Sequence, residues 1–87
     1  MTFSITQIQK KYLIDSVLLD RKDLIKELMS GHLVRDMWRV SISDEAADDI
    51  RDLCSEMLQS VGFGSKYELT TEGKMLNELI DTFYLDG

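Results

Sequence analysis

Between Ser43 and Gly62, the apolar residues Ala46, Ala47, Ile50, Leu53, Cys54, Met57, Leu58 and Val61 fall on one wide face when placed at about 100° per residue. A helix with such a face must bury it against other elements, so this segment constrains the fold more than any other. Ser43 is an N-cap residue, and Asp44 and Glu45 follow it at the positive end of the helix dipole. Gly62 supplies a left-handed stop, with Phe63 as the apolar residue that packs back on it.

The rest of the chain reads as more of the same architecture. From Ile5 to Met29 there is no Gly or Pro, and Ile5, Ile8, Tyr12, Leu13, Ile14, Val17, Leu18, Leu19, Leu24, Ile25, Leu28 and Met29 recur at helical spacing. Either one long helix or two would satisfy that spacing; a break near Asp20 is favoured, with Asp20 as a cap and Asp23 in the next first turn. Gly31 follows as a helix stop. His32 to Ser43 fits both periods: Trp38, Val40 and Ile42 alternate as in a strand, while Leu33, Val34, Met37 and Trp38 recur as on a helix. After Gly62-Phe63-Gly64-Ser65 comes an extended piece with Tyr67 and Leu69 on one side. Thr70 or Thr71 then caps a last helix through Tyr84, whose inner side carries Met75, Leu76, Leu79, Ile80 and Phe83. The expectation is a single all-α domain over residues 1–87. It is a small bundle of about four helices, with room for a short two-stranded ribbon between residues 38–42 and 66–70.

With 87 residues there is no space for a second core, because each needs roughly 50. A 44% hydrophobic and 30% charged composition is that of a globular chain rather than a disordered one. The N-terminus lacks the pattern of a signal peptide and no apolar run approaches the ~20 residues of a membrane span, so a cytoplasmic protein is expected. Stability has to come from packing, since Cys54 has no second cysteine to pair with.

The formal charge is −6, and it is unevenly spread. Residues 1–42 carry seven Lys or Arg against five Asp or Glu, a net of +2; residues 43–87 carry three against eleven, a net of −8. On the helix that starts at Ser43, the carboxylates Glu45, Asp48, Asp49, Asp52 and Glu56 lie opposite the apolar face. Like charges at i, i+4 weaken a helix by a few tenths of a kcal/mol per pair, and no Lys is interleaved among them. Such a row either keeps a small protein soluble or steers a basic partner to it. Holding nucleic acid by its phosphates needs the opposite balance, so no nucleic-acid partner is expected.

Catalytic chemistry finds little support. Cys54 sits within an apolar face without a base beside it, and His32 follows a helix stop. An uninterrupted helix does not provide the compact Gly-containing turn of a calcium loop, so neither a metal nor a cofactor is expected, and no enzymatic role. Trp38 and Tyr67 fall in the two segments of weakest periodicity, where each serves either as a core plug or as an aromatic anchor for a partner.

Two resemblances bear on function. Tyr67-Glu68-Leu69-Thr70-Thr71-Glu72-Gly73-Lys74-Met75-Leu76, continuing to Leu79-Ile80, is similar to the wing-to-helix segment of winged-helix transcription regulators, with its Y-x-L-T-x-x-G-x-x-L pattern. That resemblance implies DNA binding, which the acidic helix upstream, with Arg51 as its only base, opposes. Residues 44–83, DEAADDIRDLCSEMLQSVGF followed by YELTTEGKMLNELID, resemble small acidic bacterial immunity proteins encoded beside polymorphic or contact-dependent toxins. This second resemblance implies a small cytosolic inhibitor that binds and blocks a toxin domain. A basic protein partner such as a toxin nuclease is therefore expected, met by Glu45, Asp48, Asp49, Asp52 and Glu56, with Trp38 and Tyr67 as anchors. A homodimer formed through the apolar N-terminal helices is the alternative of a different class.

Overall fold

The structure, a computed structural model, describes residues 2–61 and 68–84. Strand β1 (Thr2–Thr6) leads into helix α1 (Gln7–Tyr12), which continues as a π-helical turn over Leu13–Val17. Helix α2 (Lys22–Leu28), strands β2 (His32–Val34) and β3 (Met37–Ser41), and helices α3 (Asp44–Val61) and α4 (Thr71–Thr82) follow. The three strands form one antiparallel sheet in the order β1-β3-β2. The molecule is therefore mixed α and β, and the expected all-α bundle is incorrect.

The reason lies in short alternating segments that helical periodicity absorbs. In β1, Phe3 and Ile5 are buried while Thr2, Ser4 and Thr6 are exposed, the period-2 pattern of a half-buried strand. Phe3 stands opposite Val40, and Ile5 opposite Trp38, so all four share the core face. The strand alternation of Trp38, Val40 and Ile42 is the one the chain adopts. β3 pairs with residues 2–6 and 32–34, and the ribbon expected between residues 38–42 and 66–70 falls in part on residues 66 and 67, outside the described residues. The Gly62 stop, Phe63 and Tyr67 lie outside the described residues.

Helices α1, α3 and α4 each begin at a residue whose side chain satisfies a free N–H group. Thr6 and Gln9 form a capping box: the Thr6 hydroxyl accepts from the Gln9 N–H at 3.0 Å, and the Gln9 side chain accepts from the Thr6 N–H at 2.9 Å. Ser43 caps α3 as expected, accepting from the Ala46 N–H at 3.1 Å, and Thr70 caps α4, accepting from Gly73 at 2.9 Å. The break near Asp20 exists, but α2 is preceded by Arg21 without a side-chain cap, so Asp20 does not cap it. The wide π turn closes with the Leu18 N–H on the Leu13 carbonyl at 2.7 Å. It brings Leu13, Val17 and Leu18 into the core together and leaves the next residue, Leu19, facing solvent.

One contiguous core joins the layers. Ala46, Ala47, Ile50 and Cys54 from α3 and Leu76 and Leu79 from α4 meet Leu13, Leu18, Leu24 and Leu28 from the N-terminal helices. The sheet is tied to the end of α4 by Phe3 and Phe83, whose rings lie 4.8 Å apart at 43°. Among the described residues, no helix is long and apolar enough to cross a membrane.

Candidate functional site

α3 turns its small and apolar residues inward and leaves the opposite side to solvent, so the five carboxylates share one face. Glu45, Asp52 and Glu56 are exposed, and Asp48 and Asp49 are half-buried. Two guanidiniums reach this row. Arg51, from α3 itself, lies 3.3 Å from Asp48 and 4.0 Å from Asp52, and its guanidinium stands 5.5 Å from the centre of the Tyr84 ring. Arg21, from the turn between α1 and α2, lies 3.3 Å from Asp49 and 3.1 Å from Asp23. The hydrogen bond from Arg21 holds the Asp23 carboxyl below its usual range. The repulsion expected along the row is thus offset at Asp48, Asp49 and Asp52. Among the described residues, no cation stands within ion-pairing distance of Glu45 or Glu56.

A groove runs beside this face, between the Leu18–Arg21 turn and α3. Leu19, Leu53 and Met57 form its apolar part, and Ser16, Asp20, Arg21, Glu56 and Ser60 its polar edges. Leu19 is 62% exposed and lines the groove together with the half-buried Leu53 and Met57. Sequence periodicity counts Leu19 among the core residues of an N-terminal helix. Its role at a groove edge becomes visible only once the π turn has rotated the chain.

Trp38 does not join this face. Trp38 lies on β3, half-buried on the core side of the sheet; its indole N–H donates to the Leu28 carbonyl at 2.9 Å and the Lys10 ammonium sits 3.9 Å above its ring. It is a plug between the sheet and the end of α2, which is the core alternative for this residue. Tyr67 lies outside the described residues.

Cys54 is fully buried, and burial pushes its thiol up to about 12, so it stays protonated and unreactive at neutral pH. His32 is exposed on the edge strand β2, beyond the end of α2. Among the described residues, no group of three or more His, Cys, Asp or Glu is placed to hold a metal ion.

A second arrangement was missed by sequence reasoning. β1, α1, the four-residue turn Leu18–Arg21, α2 and the β2–β3 hairpin follow one another as a helix-turn-helix with an appended hairpin. This order of elements lies in residues 2–41 rather than around the Tyr67 to Ile80 segment that carries the sequence resemblance. Its second helix exposes Lys22 and Lys26 together with Asp23, and Glu27 is half-buried there. The capping box at Thr6 and the apolar pattern from Leu24 to Val34 were the available signs of it.

Compared with protein families, curated proteins and solved structures, the chain matches none.

Proposed function

We propose that this chain is a cytosolic protein-binding inhibitor of the immunity or antitoxin kind, which neutralises a basic protein through the acidic face of α3. The observation that carries the reading is the pair of exposed, unpaired carboxylates Glu45 and Glu56 on a row whose other three members are tied to arginines. Unpaired exposed charge attracts an approaching cationic surface over about a Debye length and raises its encounter rate. The paired carboxylates keep a fixed geometry for the contact that follows. A toxin nuclease suits this face, because the Lys and Arg that hold its nucleic acid would instead meet carboxylates, by occlusion or by mimicry of phosphates. The role is one of binding rather than of catalysis. The test is to mix the purified protein with the product of the neighbouring reading frame. The reading expects a stable complex whose formation slows steeply with salt and which loses the partner's activity; two proteins that stay separate at low salt contradict it.

A second reading, DNA binding, is favoured by one observation: the helix-turn-helix and hairpin of residues 2–41, the slightly basic end of the chain. Against it, α2 carries two lysines and two acids, which leaves no net charge for phosphates. A labelled duplex at low salt separates the readings. Binding that is lost in Lys22→Ala with Lys26→Ala would favour DNA, and absence of binding would remove it.

A further inference from the structure

We propose that the groove between the Leu18–Arg21 turn and α3 seats a short, basic, amphipathic segment of the partner, with one apolar side chain lying on Leu19, Leu53 and Met57 and cations on either side of it. This rests on the reading of the chain as a protein-binding inhibitor and adds the chemistry of the segment that it takes.

Leu19 carries the apolar half of the argument. A single exposed leucine is ordinary, but this one lines the same groove as the half-buried Leu53 and Met57. The charged surroundings decide what covers these three residues. Asp20 and Glu56 line the groove, and Arg21, also in its wall, shares its one positive charge between Asp23 and Asp49. Two carboxylates thus line the groove, and the one guanidinium beside them is already neutralised by two carboxylates outside it. An apolar centre with a charged rim is the anatomy of a protein interface, and the sign of this rim asks for Lys or Arg. A nucleic-acid backbone has the wrong sign for it.

The labour is divided between the two parts. The carboxylates act at a distance and set the rate of encounter, whereas the apolar residues act on contact and set how long the complex lasts. An apolar occupant of Leu19 therefore shows in the dissociation rate with little change in salt dependence.

Two synthetic peptides of roughly 15 residues, long enough to form a helix, test this with the full chain. One carries Leu at helical spacing on a Lys face; the other has Ser in place of each Leu. Amide NMR titration is expected to show the Leu/Lys peptide binding at least 10-fold more tightly than the Ser/Lys peptide, with shifts centred on Leu19, Leu53, Glu56 and Met57. Leu19→Ser should remove that difference, and Leu19→Met should retain it. Equal binding of the two peptides would overturn the groove while leaving the charge-based reading standing. Binding of neither at low salt would overturn both. Sedimentation of the free protein gives the remaining arm: a dimer that Leu19→Ser converts to monomer would assign the groove to a second copy and overturn the proposal.

Discussion

Arg21 and Asp49 are 28 residues apart in the chain and 3.3 Å apart in the fold. Through them the turn after α1 is fastened to the middle of the acidic row, and one guanidinium masks part of the charge that the row presents. Arg21→Gln should therefore strengthen the field felt by a basic partner. The expected outcome is faster association with a cationic protein or peptide and a steeper salt dependence, with stability changing no more than for an ordinary exposed substitution. Stopped-flow mixing at several ionic strengths checks it; slower association would mean that Arg21 itself contacts the partner. The neighbouring contact of Arg21 with Asp23 has a pH window. The Asp23 carboxyl is held below its ordinary value by Arg21, so its contribution is present above the usual carboxylate range and is lost as pH falls through the lowered value.

The hairpin between β2 and β3 turns on Arg35 and Asp36, both left-handed, with φ of 50° and 69°. Val34 stands opposite Met37, so these two residues form the whole loop, a geometry that Asn-Gly supplies without strain. Asp36→Gly should stabilise the protein by about 1 kcal/mol, seen as a rise of about 4–8 °C in Tm for a domain of this size.

Gly31 occupies a tighter place than a helix stop requires. Its φ is not positive, so left-handed freedom is not the reason for it. A Cβ there would collide with the Arg39 carbonyl oxygen and come within 2.9 Å of the Trp38 indole nitrogen and the Val40 Cβ. Gly31→Ala should push β3 away from the end of α2 and cost about 1–3 kcal/mol. Trp38 is the one tryptophan in the chain, and its hydrogen bond to Leu28 lies at this contact. Its fluorescence should therefore report the change along with urea unfolding; an unchanged midpoint would contradict the close approach.

Tyr12 donates to Glu72 at 2.6 Å, linking the N-terminal helices to α4. Burial first, and then the bond to Glu72, raise its phenol well above the ordinary value of 10.0. A raised folded value means that the contribution to stability is complete below the ordinary value and is lost as pH rises through the folded one. Ultraviolet titration should find one phenol that resists ionisation beyond pH 10.0, absent in Tyr12→Phe and moved only part of the way back toward the ordinary value in Glu72→Gln, where burial still acts. A normal titration of Tyr12 would contradict the contact.

Long periodic elements were legible in the sequence, and short ones were not. α3 and α4 have enough turns for an apolar face to repeat, and Ser43 and Thr70 mark their starts. β1 has five residues, β2 three, and α2 seven, too few for one period to exclude another. Ile5 illustrates the problem: it fits a helix with Ile8 and Tyr12, yet its partner is Trp38, across the sheet and far along the chain. The acidic row was legible for the same reason as α3. Its pairing with Arg21 and the groove beside Leu19 were not, because both depend on how the π turn directs residues 18–21 against α3.

The row itself is tested most directly at its two unpaired members. Glu45→Gln with Glu56→Gln removes two charges from exposed positions without touching an arginine contact, so folding should be unaffected. The measurement is the association rate of this double variant with the purified basic partner, read by stopped flow across a range of salt. The account predicts a several-fold slower rate at low salt, a flatter salt dependence, and convergence with the unmodified protein at high salt. An association rate and salt slope equal to those of the unmodified protein would contradict it.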